Sequence, residues 1–158
     1  MKSTILRTYA FWIFSALAVG ILSGLLTGTG TKNFSDVALQ PSFAPPPVVF
    51  PIVWTLLYTL MGISAARIAL MSSSPATKKG LNLYVAQLIV NFFWSLIFFN
   101  ADAYGFSVLW MLLLLSLVLL MVLQFQKADP PAAILQIPYL LWLAFALVLN
   151  IRIWQLNR

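Results

Sequence analysis

The chain has 158 residues, of which 62% are hydrophobic and 8% are charged, and its mean hydropathy is +0.97. A soluble domain of this length cannot bury so much apolar surface, so the composition excludes the ordinary globular classes. In lipid, only a helical bundle or a closed barrel satisfies every backbone polar group. Barrel strands alternate polar and apolar residues, whereas the apolar runs here are continuous, as in Val108–Leu123. The sequence therefore predicts an all-α membrane protein.

The apolar runs have the length that a spanning helix needs, about 20 residues. They predict one domain over residues 1–158, a bundle of five transmembrane helices, with spans at 8–27, 48–71, 81–100, 105–126 and 132–152. Four prolines between 41 and 47 predict that the long connection 28–47 is a stiff loop. Tight turns are predicted at Ser72–Gly80 and Ala101–Tyr104, and a helix kink is predicted at Pro138.

Lysine and arginine lie beside the apolar runs and give the chain a net charge of +6. Cations in these positions face lipid headgroups, so no nucleic-acid partner is predicted. Six of them fall on the N-terminal side of the membrane and three on the other side: Lys2, Arg7, Arg67, Lys78, Lys79 and Lys127, against Lys32, Arg152 and Arg158. By the positive-inside rule, this excess predicts a multi-pass protein with a cytoplasmic N-terminus.

The sequence has no His, Cys or Glu, and its three acidic residues, Asp36, Asp102 and Asp129, fall in the predicted connections. The predicted spans therefore lack an ordinary general base, metal ligand or proton relay. This inventory argues against hydrolases, metalloenzymes and proton-coupled pumps. It predicts neither a metal site nor a resident cofactor.

Small residues recur every four positions in the first span, at Ala16, Gly20, Gly24 and Gly28. This spacing places them on one side of a helix, where a second backbone can approach closely. The partner helix can belong to the same chain or to a second copy in a homodimer, and the sequence leaves both open. The fourth span, rich in Leu, Val and Met, is predicted to be a lipid-facing scaffold.

Aromatic and amide side chains form one stripe on each of three spans. The second span carries Phe50, Trp54, Tyr58 and Met61, the third carries Gln87, Asn91, Trp94 and Phe98, and the fifth carries Tyr139, Trp142, Ala146, Leu149 and Asn150. Each stripe can line a pocket or pack a helix interface, and the amides need hydrogen-bond partners in either case. Trp54 and Trp142 are predicted to lie within one helical turn of the same depth, where two indoles could hold a flat ligand.

Three motifs make the chain similar to a known family: Phe50-Pro-Ile-Val-Trp54-Thr-Leu-Leu-Tyr58, Asn91-Phe-Phe-Trp94, and Pro138-Tyr139-Leu-Leu-Trp142 continuing to Asn150. They resemble the TspO/MBR family of tryptophan-rich translocator proteins, which includes the peripheral benzodiazepine receptor. The resemblance implies a five-helix bundle, commonly dimeric, with a porphyrin-binding pocket beneath the 28–47 loop as its lid. It also implies the residues that line the pocket: Phe50, Trp54, Asn91, Trp94, Trp142, Ala146 and Leu149.

The resulting hypothesis is a membrane protein that binds a tetrapyrrole as ligand and acts as a sensor, scavenger or regulator of porphyrin levels. The resemblance also implies a second possibility, light- and oxygen-dependent porphyrin degradation, in which Trp54 and Trp142 would be the catalytic residues. A transporter of porphyrin or another small hydrophobic ligand is the third. Val48 and Phe34-Ser35 replace aromatic residues usual in the family, which predicts a less aromatic lid side. The family's sterol-recognition pattern is lacking, because no Tyr lies between Leu147 and Arg152.

Overall fold

The computed structural model describes residues Lys2–Arg158 as a set of helices joined by short connections. The helices are α1 (Lys2–Val37), α2 (Val49–Ala69), α3 (Pro75–Ser95), α4 (Tyr104–Ala128), α5 (Pro130–Ile134) and α6 (Ile137–Leu156), and a π-helical turn (Leu96–Asn100) continues α3. Five helical segments are long and apolar enough to cross a membrane, because α5 and α6 form one segment and α3 includes its π-helical turn. The predicted five-helix membrane bundle is confirmed.

The first helix extends well beyond the predicted end of the first span at residue 27. It continues to Val37 and includes Asp36, so the connection to α2 is residues 38–48, here called the strap, and not 28–47. The hydroxyl groups of Thr27, Thr31 and Ser35 donate to the carbonyl oxygens four residues earlier, at 2.8, 2.9 and 3.1 Å. The hydroxyl groups are thereby satisfied without water, while the packing of the buried Thr27 and Gly30 side of α1 against the end of α3 keeps a Gly- and Thr-rich segment helical.

The predicted turn at Ser72–Gly80 is wrong from Pro75 onward, where α3 begins. Ser74 caps this helix: its hydroxyl oxygen accepts from Thr77 N at 3.1 Å, and its backbone N–H donates to Thr77 Oγ1 at 2.8 Å. Pro75 suits the first helical position, because no hydrogen bond is required of its nitrogen there. The predicted turn before Tyr104 is confirmed, and Asp102 has a positive φ of 49° within it.

The kink predicted from Pro138 is present as a break between α5 and α6 at residues 135–136. Proline has no N–H to donate to the carbonyl of Ile134, one turn earlier. The chain turns instead through shorter-range bonds, and Gln136 N donates to Ala133 O at 3.0 Å. On the two sides of this break, α5 and α6 each pack against both α4 and α2.

The fourth helix packs against both α3 and α6. The prediction that it is only a lipid-facing scaffold is therefore wrong for one of its faces. That face is fully buried and consists of Met111, Leu114, Val118, Met121 and Phe125. Its Leu-rich opposite face is exposed, as a lipid-facing surface requires. Composition could not separate the two faces, because both are apolar.

The stripe of small residues in α1 divides into two halves. Ala16 is buried, and a β-carbon added to Gly20 would lie 2.6 Å from Cδ2 of Tyr58 in α2. Among residues 2–158, no atom outside the same stretch of α1 lies within 4 Å of a β-carbon built at Gly24 or Gly28. The first half therefore packs within the chain, and the second half is open.

An ion pair joins α2 to the junction of α4 and α5. Arg67 Nε donates to Asp129 Oδ2 at 2.6 Å and Arg67 Nη2 donates to Asp129 Oδ1 at 3.1 Å. Paired N–H groups of this kind match the geometry of a carboxylate and fix the relative position of both helices. Beside it, Ser64 Oγ donates to Ala132 O at 2.7 Å, which links the same elements again.

Candidate ligand-binding site

Contacts between α2 and α6 are sparse, and aromatic residues occupy the seam between these antiparallel helices. The Phe50 ring lies 5.8 Å from that of Trp142, and the Trp54 ring lies 6.2 Å from that of Tyr139. Tyr139 and Trp142 are one turn apart in α6. Trp54, which lies beside Tyr139, is therefore about one helical turn away from Trp142 along the same seam. Within residues 2–158, Trp54 and Trp142 share no ring contact.

A groove of about 420 Å³ opens between α2 and α6, and one indole lies in its wall. This α2–α6 groove is lined only by apolar side chains: Pro45, Val53, Leu56, Leu57, Pro138, Leu141, Trp142 and Phe145. The rings of Trp142 and Phe145 are 5.5 Å apart and inclined by 43°. Leu56 and Leu141 are exposed at the edges of the groove, where lipid surrounds a spanning helix. The groove can therefore accept a flat apolar molecule, including one dissolved in the bilayer.

Trp54 does not line the α2–α6 groove, because its ring turns toward the interior of the bundle. It lies 5.4 Å from the ring of Tyr58 and contacts Tyr139 at the seam. Its neighbour Val53 supplies the groove wall instead. Trp54 is thus placed behind the wall, between the groove and the buried polar groups of α3.

The amides of α3 form a buried hydrogen-bonded network with tyrosines of α2 and α6. Asn91 Nδ2 donates to Tyr139 Oη at 2.8 Å, and Tyr139 Oη donates to Gln87 Oε1 at 2.9 Å. A longer bond of 3.5 Å runs from Tyr58 Oη to Asn91 Oδ1. The amides therefore link α2, α3 and α6. Of the two roles that the sequence left open, packing a helix interface and lining a pocket, this is the first. Asn91 as a contact for ligand stays a prediction.

Substituting Tyr139 by Phe removes the central member of this network. Asn91 Nδ2 and Gln87 Oε1 are then left unpaired in the bundle core, so we expect a loss of about 1–2 kcal/mol in stability. Thermal unfolding in detergent measures it. Tyr104→Phe is the matched control, because Tyr104 Oη bonds only to the exposed Asp102 at 3.0 Å. Equal midpoints for the two variants would contradict the network's structural role.

Trp94 belongs to a second group of aromatic residues at the end of the bundle where the strap lies. Its ring stacks on Phe98 at 5.1 Å with the planes 23° apart. Phe34 of α1 contacts Phe98 at 5.2 Å and Phe99 at 5.5 Å. This outer aromatic cluster is Phe34, Ala44, Phe50, Trp94, Phe98, Phe99, Tyr104, Phe145, Leu149 and Ile153. Phe34 thus supplies an aromatic ring to this end of the bundle, and a lid side that is less aromatic than in relatives stays a prediction.

The predicted site residues thus fall in four places. Trp142 lines the groove, Trp54 and Asn91 lie behind it, and Phe50, Trp94 and Leu149 belong to the outer aromatic cluster. Ala146 packs against the main core. Sequence reasoning missed several groove residues, namely Pro45, Val53, Leu56, Leu57, Leu141 and Phe145. The sequence could have indicated Phe145, because it follows Trp142 by three positions and side chains at this spacing are neighbours on a helix.

Comparison with known proteins agrees with this architecture. The TspO/MBR family model matches residues 11–155. The tryptophan-rich protein TspO of Chlorobaculum tepidum is 33% identical over 95% of this chain and 96% of its own length. The protein CrtK of Rhodobacter capsulatus is 32% identical over 99% of this chain and 95% of its own length. The translocator protein of Ovis aries is 36% identical over 84% of this chain and 79% of its own length. The chain therefore belongs to the TspO/MBR family.

Proposed function

We propose that this integral membrane protein binds a tetrapyrrole in the α2–α6 groove and acts as a sensor, scavenger or regulator of porphyrin levels. The observation that carries the proposal is the position of Trp142 in the wall of an otherwise aliphatic and proline-lined groove, beside Phe145. Indole and phenyl faces stack on flat conjugated rings and bury a large apolar area in doing so. A porphyrin has a flat conjugated ring with two large apolar faces.

The size and chemistry of the groove support this assignment. Its volume of about 420 Å³ falls within the range of small-molecule sites, roughly 300–1,000 Å³. Its walls offer apolar contact and no charged group, so selectivity would rest on shape and stacking. The groove lies between two membrane-spanning helices, and the apolar ring of a porphyrin partitions into the membrane.

Two further features belong to the proposal. A relative from Cereibacter sphaeroides, 33% identical over 75% of this chain, is named a tryptophan-rich sensory protein, and we infer a sensory role here by similarity. We also infer a homodimer, for which the open half of the α1 stripe, Gly24 and Gly28, offers a close-packing surface. The excess of Lys and Arg favours a cytoplasmic N-terminus.

Titration of the purified protein in detergent with protoporphyrin tests the central claim. We expect saturable quenching of tryptophan fluorescence, because a porphyrin held against Trp142 accepts its excitation energy. Trp142→Phe should raise the dissociation constant obtained from the quenching curve, whereas Trp154→Phe, at the far end of α6, should leave it unchanged. Quenching that rises linearly without saturation, or a dissociation constant that is the same in both variants, would refute binding at the groove.

The same complex tests the second candidate function, light-dependent porphyrin degradation. Trp54 lies between the groove and two tyrosines, with Tyr58 at 5.4 Å and Tyr139 at 6.2 Å, so oxidisable rings extend inward from the site. Illumination in air should then bleach the bound porphyrin faster than porphyrin in empty micelles. Bleaching that survives the Trp54→Phe, Trp142→Phe double variant would leave binding as the only function of the groove.

A further inference from the structure

The strap follows α6 from its C-terminal end toward the α2–α6 groove. Leu39 is hydrogen-bonded to Asn157, Phe43 contacts Phe145 at 6.5 Å, and Pro45 forms part of the groove lining. The strap therefore meets the last turn of α6 first and the groove last. Its prolines, Pro41 and Pro45–Pro47, restrict the backbone between these points.

One side chain fastens the strap to α6. Asn157 Oδ1 accepts from Leu39 N at 2.9 Å, and Asn157 Nδ2 donates to Leu39 O at 2.9 Å. The second Nδ2 hydrogen goes to Ile153 O at 2.8 Å, which fixes the orientation of the amide. Both N–H groups of the Asn157 amide are thus used. The two bonds to Leu39 satisfy its backbone N–H and its backbone carbonyl oxygen, as a neighbouring strand would in a β-sheet.

We propose that Asn157 is a positioning residue that holds the strap against the part of the α2–α6 groove that Pro45 lines, and sets the rate at which a flat apolar guest exchanges past the strap. The consequence for a guest rests on the function proposed above. Downstream of the Leu39 bonds, the strap meets α6 through apolar contacts alone: the Phe43 ring lies 6.5 Å from that of Phe145, and Ala44 packs on the cluster that contains Leu149 and Ile153, before Pro45 is reached at the groove. Loss of the Asn157 bonds therefore removes the polar fastening and leaves only these apolar contacts to hold the segment. The guest-bound and guest-free proteins share the open state as an intermediate, so association and dissociation should change together.

Amide hydrogen exchange tests the fastening without any ligand. In Asn157→Ala, the Leu39 amide should exchange about tenfold faster, because two hydrogen bonds that held it are lost. The control is Asn82→Ala in α3, an exposed asparagine whose side chain has no hydrogen-bond partner among residues 2–158. Amides near Ile153 should keep their protection in both variants. Unchanged exchange at Leu39, or a general loss of protection throughout the last turn of α6, would overturn the proposal.

Stopped-flow quenching by protoporphyrin tests the effect on exchange of the guest. Asn157→Ala should raise the association and dissociation rates together, by about tenfold, and change the dissociation constant by less than about threefold. Leu39→Pro removes only the bond from Leu39 N and keeps the one to Leu39 O, so it should raise both rates by a smaller factor. Faster Leu39 exchange with unaltered porphyrin rates would refute control of the groove. Absence of quenching in the unmodified protein would instead refute the proposed function, while hydrogen exchange would still decide whether Asn157 fastens the strap.

Discussion

Gly62→Ala is expected to lower the thermal midpoint of the protein in detergent by roughly 5–10 °C. A β-carbon at this position would clash with Cα of Ile13 and lie 2.8 Å from both Ile13 N and the carbonyl oxygen of Trp12. These are backbone atoms of α1, so no side-chain rotation can relieve the overlap. Helices α1 and α2 must move apart, and the close packing along their long interface is lost.

A matched substitution in the same helix pair separates this clash from the intrinsic effect of alanine. Within residues 2–158, no atom outside its own stretch of helix lies within 4 Å of a β-carbon added to Gly24. In the monomeric protein, Gly24→Ala should therefore leave the midpoint unchanged or raise it slightly, because alanine favours the helix. A midpoint for Gly62→Ala equal to that of Gly24→Ala would show that the two backbones are farther apart than in this structure. Circular dichroism during heating is sufficient for the comparison.

The number of spanning helices could be predicted from the sequence, because it depends on local composition. The end of α1 and the start of α3 were not predicted correctly. The stretch Gly28–Thr31 favours a loop by intrinsic propensity, yet it is helical because Gly30 lets α1 pack directly on the carbonyl of Phe99. Asn100 Nδ2 also donates to Leu26 O at 3.0 Å. Such contacts between distant segments leave no trace in the local pattern. The start of α3 was different, since Ser74-Pro75-Ala-Thr77 carries a readable cap.

The types of residue in the candidate site could be predicted from the sequence, but the way in which the helices bring them together could not. Periodicity placed Gln87 and Asn91 on one face and required partners for them, and the structure supplies Tyr139. Periodicity could not give the register of α2 against α6, which places Trp54 beside Tyr139 and Trp142 beside Phe50. The Asn157 bonds to Leu39 were equally hidden, because they join residues 118 positions apart. Relations between helices are fixed by tertiary packing, and a single sequence does not encode them in a readable form.

Trp142→Ala is expected to weaken protoporphyrin binding by a factor of about thirty. Removing a large aromatic face from an apolar site forfeits about 2 kcal/mol of apolar contact and stacking, which corresponds to that change in the dissociation constant. Trp154→Ala is the control: Trp154 is 39% exposed and lies beside Gly105, away from the groove residues. Its affinity should stay within about twofold of the unmodified protein, a change of less than about 0.5 kcal/mol. Fluorescence of the porphyrin itself reports binding in both variants, since each lacks one indole donor.

Trp54→Ala decides between the groove and a site deeper in the bundle. If the guest lies in the groove, Val53 and Trp142 contact it directly and Trp54 supports it only from behind, so Trp54→Ala should weaken binding less than Trp142→Ala. If the guest instead displaces Tyr139 and lies between the two indoles, Trp54→Ala should be at least as damaging. Thermal midpoints of both variants must be compared as well, because Trp54 also packs on Tyr58. An affinity loss that follows the loss of stability would then indicate a packing role for that indole, and only a loss at unchanged stability would place it against the guest.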